Sequence, residues 1–137
     1  MWVSKTFDRG SNPRMRANKY DMKVITKKND WLQRVIPGFD HVIEFGWGNG
    51  YVLLDEGHPL HSVPYDSIAV EIHGGLTYSK EICENDLLVY EQLASEDIGK
   101  WMIGFSTDHS DDTLAKWPEQ AVLAEANRLK EQIELMS

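Results

Sequence analysis

Cysteine and long apolar runs are scarce in this sequence, and so are basic residues over most of its length. A single cysteine, Cys83, excludes an internal disulfide and is typical of proteins from a reducing compartment. No run approaches the roughly 18 apolar residues of a membrane span. The first residues also lack the apolar core of about 7–15 residues that a signal peptide contains. We therefore expect a cytoplasmic protein without a membrane segment.

The composition indicates a folded chain of one domain. The chain has 137 residues, 42% of them hydrophobic, with five tryptophans. A chain of this length buries about two thirds of its unfolded surface, which provides a sizeable core without disulfides or metals. The formal charge of −8 is uneven, because residues 1–36 hold nine Lys/Arg against three Asp/Glu. The rest of the chain is strongly acidic.

The basic end of the chain predicts an arm. Residues 1–23 are polar, rich in Arg and Lys, and include Gly10 and Pro13, so we expect a basic N-terminal arm before a single domain at 24–137. Such an arm can pack on its own acidic body, on a neighbouring subunit of a homo-oligomer, or on a host protein. Nucleic acid is a further candidate partner, although an acidic body repels phosphate backbones.

A glycine-rich stretch lies between two β-prone segments. HVIEF at 41–45 and YVLL at 51–54 flank GWGNG, and Asn49-Gly50 between β-prone runs predicts a hairpin with a type I′ turn. A nucleotide-binding glycine loop delivers its ligand to the N-terminus of a following helix. Because a strand and then a loop broken by prolines follow here, the pattern disfavours a dinucleotide or methyltransferase fold.

The remaining elements are predicted from hydrophobic periodicity and from the residues that begin and end each segment. DWLQRVI at 30–36 predicts a short helix, and SIAVEIH at 67–73 predicts a strand. KWMIGFST at 100–107 predicts a central strand buried on both faces. Residues 118–136 predict an amphipathic helix with one apolar stripe, formed by Val122, Ala126, Leu129 and Ile133. The order predicts an α+β domain, with a small antiparallel or mixed sheet covered by the C-terminal helix.

A first candidate site is the segment HGGLTYS at 73–79. Gly74 and Gly75 permit backbone conformations closed to other residues, and successive N–H groups there can form an anion-binding nest. The hydroxyls of Thr77 and Ser79 add donors, while His73 is a candidate base, metal ligand or hydrogen-bonding side chain. The alternative is a tight turn at a strand end, with His73 bonded to a main-chain carbonyl.

A second candidate site is the segment FSTDHSDD at 105–112, which leaves a buried strand. His109 and one of Asp108 or Asp112 are expected to face the anionic ligand, and imidazole and carboxylate groups also bind divalent metals. A metal site would combine His58, His73, His109 and Asp112. The alternative is a solvated acidic loop in which Asp111 or Asp112 caps the next turn. We expect the imidazoles of His73 and His109 to share one site.

Four segments together resemble those of a group of small proteins found in phages and prophages. They are NGYV at 49–52, GHP at 57–59, HGGLTY at 73–78 and GFSTDHSDD at 104–112. The group combines an NGYV-type hairpin, a G-H-P loop, an HGG-[IL]-T-[YF] turn and a G-F-D-x-x-H-x-G-D segment. The resemblance covers residues 49–130 and leaves the basic arm outside it.

The resemblance implies a setting, the cytoplasm of a phage-infected host, more than a mechanism. The chain departs from the group at Ser106, where the group has Asp, and at Asp111, where it has Gly. Loss of that first Asp as a ligand or base favours binding over turnover. We therefore predict a phage-type accessory protein that binds a small anionic ligand, with a nucleotide as candidate, for sequestration or host modulation. The alternatives are a metal-dependent hydrolase and a module that binds host protein or nucleic acid.

Overall fold

The structure is a computed structural model that describes residues 22–29, 33–35, 42–109 and 112–136. Within these ranges the chain forms six strands and one α-helix: β1 (Lys23–Lys28), β2 (Gln33–Val35), β3 (Val42–Glu44), β4 (Gly48–Leu54), β5 (Tyr78–Glu81), β6 (Trp101–Phe105) and α1 (Glu119–Leu135). Short 3₁₀ turns lie at Tyr65–Ser67, Glu84–Leu88 and Ser95–Asp97.

Four of the strands form an antiparallel sheet in the order β1-β4-β6-β5. Tyr51 of β4 pairs with Ile25 on one side and with Gly104 of β6 on the other, and Gly104 also pairs with Tyr78. Strands β2 and β3 form a separate antiparallel pair. The α+β fold with an antiparallel sheet and a C-terminal helix is therefore confirmed.

The two central strands are buried on both faces, because successive side chains point to opposite sides of a sheet. On one face Val52 and Phe105 pack with α1 in the main core. On the other face Tyr51, Leu53 and Met102 pack against the segment that follows β5. This two-sided burial confirms the prediction for 100–107, and it explains why both strands read as continuous apolar runs.

Helix α1 covers the first of these faces. Its predicted stripe, Val122, Ala126, Leu129 and Ile133, is fully buried. These positions recur every three to four residues, and they therefore fall on one side of a helix with 3.6 residues per turn. The sequence predicted Pro118 as the first residue of the helix. In the structure the helix begins at Glu119, and Pro118 is its N-cap. The helical prediction is otherwise confirmed.

The predicted hairpin around GWGNG is wrong. Strand β3 pairs with β2, and residues 48–50 belong to β4, where they pair with residues 26–28 of β1. Asn49 and Gly50 are not among the residues with positive φ in the described part of the chain. The glycines there serve close approach, since a side chain on Gly50 would meet the ring of Phe105.

Two other local predictions are also wrong. Within the predicted helix at 30–36, residues 33–35 form strand β2. The predicted strand at 67–73 lies outside both sheets, with Ser67 in a 3₁₀ turn, although Ile68, Val70 and Ile72 do pack on the main core as the alternation indicated. The sequence analysis also missed β1, whose run Val24-Ile25-Thr26 is rich in β-branched residues.

The basic arm lies outside the described residues up to position 21. Met22 is buried in the main core, and Lys23 opens β1 opposite Leu53. The partner of the arm therefore stays a prediction. In the part of the chain that the structure describes, no helix has the length and apolar character needed to cross a membrane.

Candidate functional site

The two segments singled out from the sequence meet beyond the end of β6. The ring centroids of His73 and His109 lie 5.3 Å apart. The carboxylate of Asp112 lies between the rings, with Oδ1 2.7 Å from His73 Nε2 and Oδ2 2.8 Å from His109 Nδ1. The imidazole side chains are 26% and 39% exposed, and that of Asp112 is 3% exposed. The imidazoles of His73 and His109 are therefore accessible to solvent, whereas the carboxylate that joins them is buried.

The carboxylate of Asp112 is held in its ionised form. Burial raises its pKa, but the N–H groups of His109 and His73 more than offset this, so the pKa lies below its usual value. An ionised carboxylate only accepts hydrogen bonds. His73 therefore donates through Nε2 and His109 through Nδ1. When neutral, each ring keeps its lone pair on the other nitrogen, which is Nδ1 in His73 and Nε2 in His109.

Asp112 also fixes the loop that bears His109. The main-chain N–H of His109 donates to Asp112 Oδ2 at 2.9 Å, and the N–H of Asp112 donates to the carbonyl of His109 at 2.9 Å. One side chain therefore closes its own turn and orients both imidazoles. The sequence left open that Asp112 caps the next turn in a solvated loop, whereas its buried carboxylate bonds the turn that precedes it.

A tight turn presents His73 to this loop. The N–H of Gly75 donates to the carbonyl of Ile72 at 3.0 Å, and Gly74 at the third position has φ +68°. A positive φ at that position is what a type II turn requires, and glycine adopts it without steric cost. A side chain on Gly74 would also meet the imidazole of His109. Gly74 is therefore part of the surface against which the imidazole of His109 packs.

Trp117 covers the other side of His73, with the ring centroids 4.3 Å apart and the planes tilted by 39°. The N–H of Trp47 donates to the carbonyl of Trp117 at 2.7 Å, which ties Trp117 to the start of β4. Gly46 permits this approach, because a side chain there would collide with Thr107 and Trp117. Trp117 was not among the site residues that the sequence predicted. Nothing in the sequence indicated its contact with His73.

Glu125 of α1 is the other site residue that the sequence analysis missed. Its Oε2 accepts the main-chain N–H of His73 at 2.6 Å, and Arg128 donates to both of its carboxylate oxygens. Burial raises the pKa of Glu125, but Arg128 and the His73 N–H outweigh burial, so the pKa lies below its usual value. A second negative charge therefore lies directly behind His73.

Some predicted ligand residues hydrogen-bond elsewhere. The N–H of Thr77 donates to the carbonyl of Gly104, and the hydroxyl of Ser79 accepts the N–H of Tyr65. His58 is buried, its Nδ1 accepts the N–H of Leu60, and burial lowers its pKa. His58 is not part of the group that His73 and His109 form with the aspartate.

The charges at this site favour a cation over a bare anion. The N–H groups of His73 and Gly75, which an anion-binding nest would use, already donate within the protein. Asp112 is ionised and Arg128 already pairs with Glu125, so an anion placed here would be repelled by the carboxylate of Asp112. The anion-binding nest predicted at 73–79 therefore has few main-chain N–H groups that could bind an anion directly.

Three groups at the site have the chemistry of metal ligands. One ring nitrogen from each of His73 and His109 and one oxygen of Asp112 all lie within 4.8 Å of one another. Bonds of about 2.0–2.2 Å to a zinc-like ion place neighbouring ligand atoms roughly 3–3.5 Å apart. Small side-chain rotations would therefore bring the three atoms into one coordination shell.

A cavity of about 410 Å³ lies elsewhere in the described part of the chain. Its walls come from β1, the segment at 89–92 and the start of α1, and they include Lys27, Lys28 and Trp47. None of its lining residues belongs to the group formed by the two imidazoles and the aspartate. The candidate site is therefore a surface site beside the helix.

Comparison with protein-family models, with curated proteins and with solved structures finds no match for this chain. The fold defines it as an α+β protein. Its distinguishing feature is a His–Asp–His group at the end of the central strand β6.

Proposed function

We propose that this protein binds a divalent transition-metal ion through His73, His109 and Asp112. The observation that supports the proposal is that these three ligand groups, brought together from two distant segments, lie within 4.8 Å of one another. Two imidazoles with one carboxylate suit first-row transition metals, whereas calcium and magnesium prefer oxygen ligands.

Metal binding changes the protonation of the site. The ion takes the place of the protons that now link the imidazoles of His73 and His109 to Asp112. A neutral imidazole that binds through this nitrogen carries its proton on the other ring nitrogen and releases none, whereas an imidazolium must lose one. Affinity therefore falls as the pH is lowered. Because Asp112 is already ionised, it loses no proton when the ion binds.

The ion also provides a route to the small anionic ligand predicted from the sequence. Three protein ligands leave at least one coordination position open, as in catalytic zinc sites. The positive charge of the ion offsets Asp112 and Glu125 and attracts an oxygen of the anion. We propose the anion as a ligand of the metal and not of the glycine turn, with a nucleotide phosphate as the candidate.

The proposal is tested with the purified full-length chain. We expect Zn²⁺, Mn²⁺ or Co²⁺ to raise the melting temperature, because a ligand that binds only the native state stabilises it. Native mass spectrometry would then show one bound ion and any anion purified with it. His73→Ala, His109→Ala and Asp112→Asn should each weaken Co²⁺ binding by at least about 100-fold, more than loss of an outer-shell partner costs.

His61→Ala is the matched control. His61 is also half-buried and hydrogen-bonds to the carbonyl of Gly99 at 2.8 Å, away from the site. We expect this variant to bind Co²⁺ like the wild type. A wild-type protein that contains no metal and shows no thermal shift with zinc, manganese or cobalt would overturn the proposal.

A metal-dependent hydrolase is the second candidate, and the open coordination position favours it. A bound ion lowers the pKa of its water to about 7. Held by His73, His109 and Asp112, such an ion would supply hydroxide near neutral pH and would polarise a phosphoryl oxygen of a phosphate ester. Release of p-nitrophenolate from bis(p-nitrophenyl) phosphate by the metal-loaded protein, lost in Asp112→Asn, would establish turnover. Retention of an anion without release would identify a binding protein.

We propose a phage-type accessory protein of the host cytoplasm as the biological setting. The support is the resemblance of the segments at 49–52, 57–59, 73–78 and 104–112 to small phage and prophage proteins. In that setting, retention of a small anion points to sequestration of a host or signalling metabolite. Recovery of the protein from host cells with an anion bound would support this role.

A further inference from the structure

Helix α1 holds the segment before His73 through side chains. The amide of Gln132 accepts the N–H of Glu71 at 2.7 Å and donates to the carbonyl of Glu71 at 2.9 Å. The carboxylate of Glu125 accepts the N–H of His73 at 2.6 Å. The helix therefore supplies the hydrogen bonds that a neighbouring strand would otherwise supply.

The hydrogen bonds from α1 show in which direction the segment before His73 runs along the helix. Glu71 pairs with Gln132 and His73 with Glu125, so the extended segment runs antiparallel to the helix. After Ile72 the chain enters the glycine turn. Glu125 therefore holds the main chain of the residue that bears one imidazole of the candidate site.

The carboxylate of Glu125 is itself held in place. Arg128 Nε lies 3.0 Å from Oε1 and Nη2 lies 3.2 Å from Oε2. The Glu125 side chain is 12% exposed. A charged acceptor in a fixed position forms a stronger hydrogen bond to an N–H than a neutral one does. The position of the His73 main chain is therefore set from the helix.

We propose that Glu125 is a positioning residue that sets His73 against Asp112. It touches the main chain of His73 and not its ring, so it acts through the placement of that residue. The prediction for metal affinity rests on the proposed metal site, whereas the prediction for the His73–Asp112 hydrogen bond does not.

Gln132 provides the matched control. It bonds the same segment from the same helix, but at Glu71, and the buried side chain of Ile72 separates that contact from His73. Loss of either contact should lower the melting temperature by a similar few degrees. Only loss of Glu125 should release His73.

The test compares full-length Glu125→Ala, Glu125→Gln and Gln132→Ala by ¹⁵N NMR of the imidazoles and by Co²⁺ titration. In the wild type and in Gln132→Ala we expect His73 to carry its proton on Nε2. In Glu125→Ala this preference should be lost, and Co²⁺ affinity should fall about 10-fold or more, as for outer-shell partners. Glu125→Gln keeps an acceptor oxygen and should restore the Nε2 proton.

Failure of the positioning role and failure of the metal site give different results in these experiments. An unchanged His73 tautomer in Glu125→Ala, or an equal change in Gln132→Ala, would overturn the positioning role even if the protein binds cobalt. A wild type that binds no cobalt would overturn the metal site, and the tautomer measurement would then decide the role of Glu125 by itself. If Glu125→Ala does not fold, Glu125→Asp replaces it, because the shorter side chain withdraws the acceptor from the His73 N–H while it keeps the charge. A His73 tautomer that stays on Nε2 in that variant would likewise overturn the proposal.

Discussion

At the scale of single residues, the site depends on one carboxylate and one glycine. Asp112 accepts hydrogen bonds from two imidazoles and one main-chain N–H, so its two oxygens set the orientation of both rings. Gly74 leaves the space that the ring of His109 occupies. Neither role is visible from residue type, because aspartates and glycines are common in exposed loops.

Gly74→Ala tests this steric requirement. The new side chain would collide with the His109 ring, and φ of +68° strains any residue other than glycine. We expect unfolding free energy to fall by roughly 1–2 kcal/mol or more, with loss of metal affinity. Gly57→Ala is the control, because a side chain there meets nothing within 4 Å. Urea denaturation of both variants measures the difference, and equal stabilities would contradict the structure.

At the scale of elements, α1 has two separate functions. Its buried stripe packs on the sheet, while Glu125 and Gln132 hold the extended segment that leads to His73. Because packing and positioning use different side chains, stability and site geometry can be changed independently.

Leu129→Ala and Leu123→Ala measure the packing function on one helix with one substitution. Leu129 is fully buried and Leu123 is 45% exposed. We expect Leu129→Ala to cost about 2–5 kcal/mol, because it removes apolar contacts and leaves a cavity. Leu123→Ala should cost less than about 1 kcal/mol. Similar losses from chemical denaturation would show that α1 does not cover the sheet as described.

At the scale of the whole molecule, three buried carboxylates each close a turn and join it to another segment of the chain. Asp86, Asp97 and Asp112 accept main-chain N–H groups at their own turns, and each also pairs with Lys or His side chains. In all three, burial raises the pKa but these hydrogen bonds outweigh it, so the pKa is lowered.

These lowered pKa values predict lability in acid. A carboxyl group whose pKa is lower in the folded state stabilises the fold above its unfolded pKa of about 4 and ceases to do so as the pH falls through its folded pKa. We expect the unfolding free energy to fall steeply below about pH 4. Asp112→Asn should be less stable than the wild type at pH 7, and the gap should narrow as the pH drops. A gap that stays constant in calorimetry from pH 7 to pH 3 would contradict this assignment.

The sequence by itself determined the fold class, the central strand at 100–107 and helix α1. These follow from patterns read within one segment: a buried run bounded by polar residues and an apolar stripe at helical spacing. It also singled out His73 and His109 as residues that meet, as the structure shows. The two candidate segments at 73–79 and 105–112 supply the His–Asp–His group.

Only the tertiary structure decided which segments pair. Asn49-Gly50 has the local chemistry of a hairpin turn, yet β4 pairs with β1 from the start of the domain. The segment at 67–73 has the alternation of a strand, but its hydrogen-bond partners are side chains of a helix more than 50 residues away. Local patterns set the direction of each side chain. The partners of a main chain, and hence the contacts of Glu125 and Trp117 with His73, depend on which distant surfaces are packed together when the core is buried.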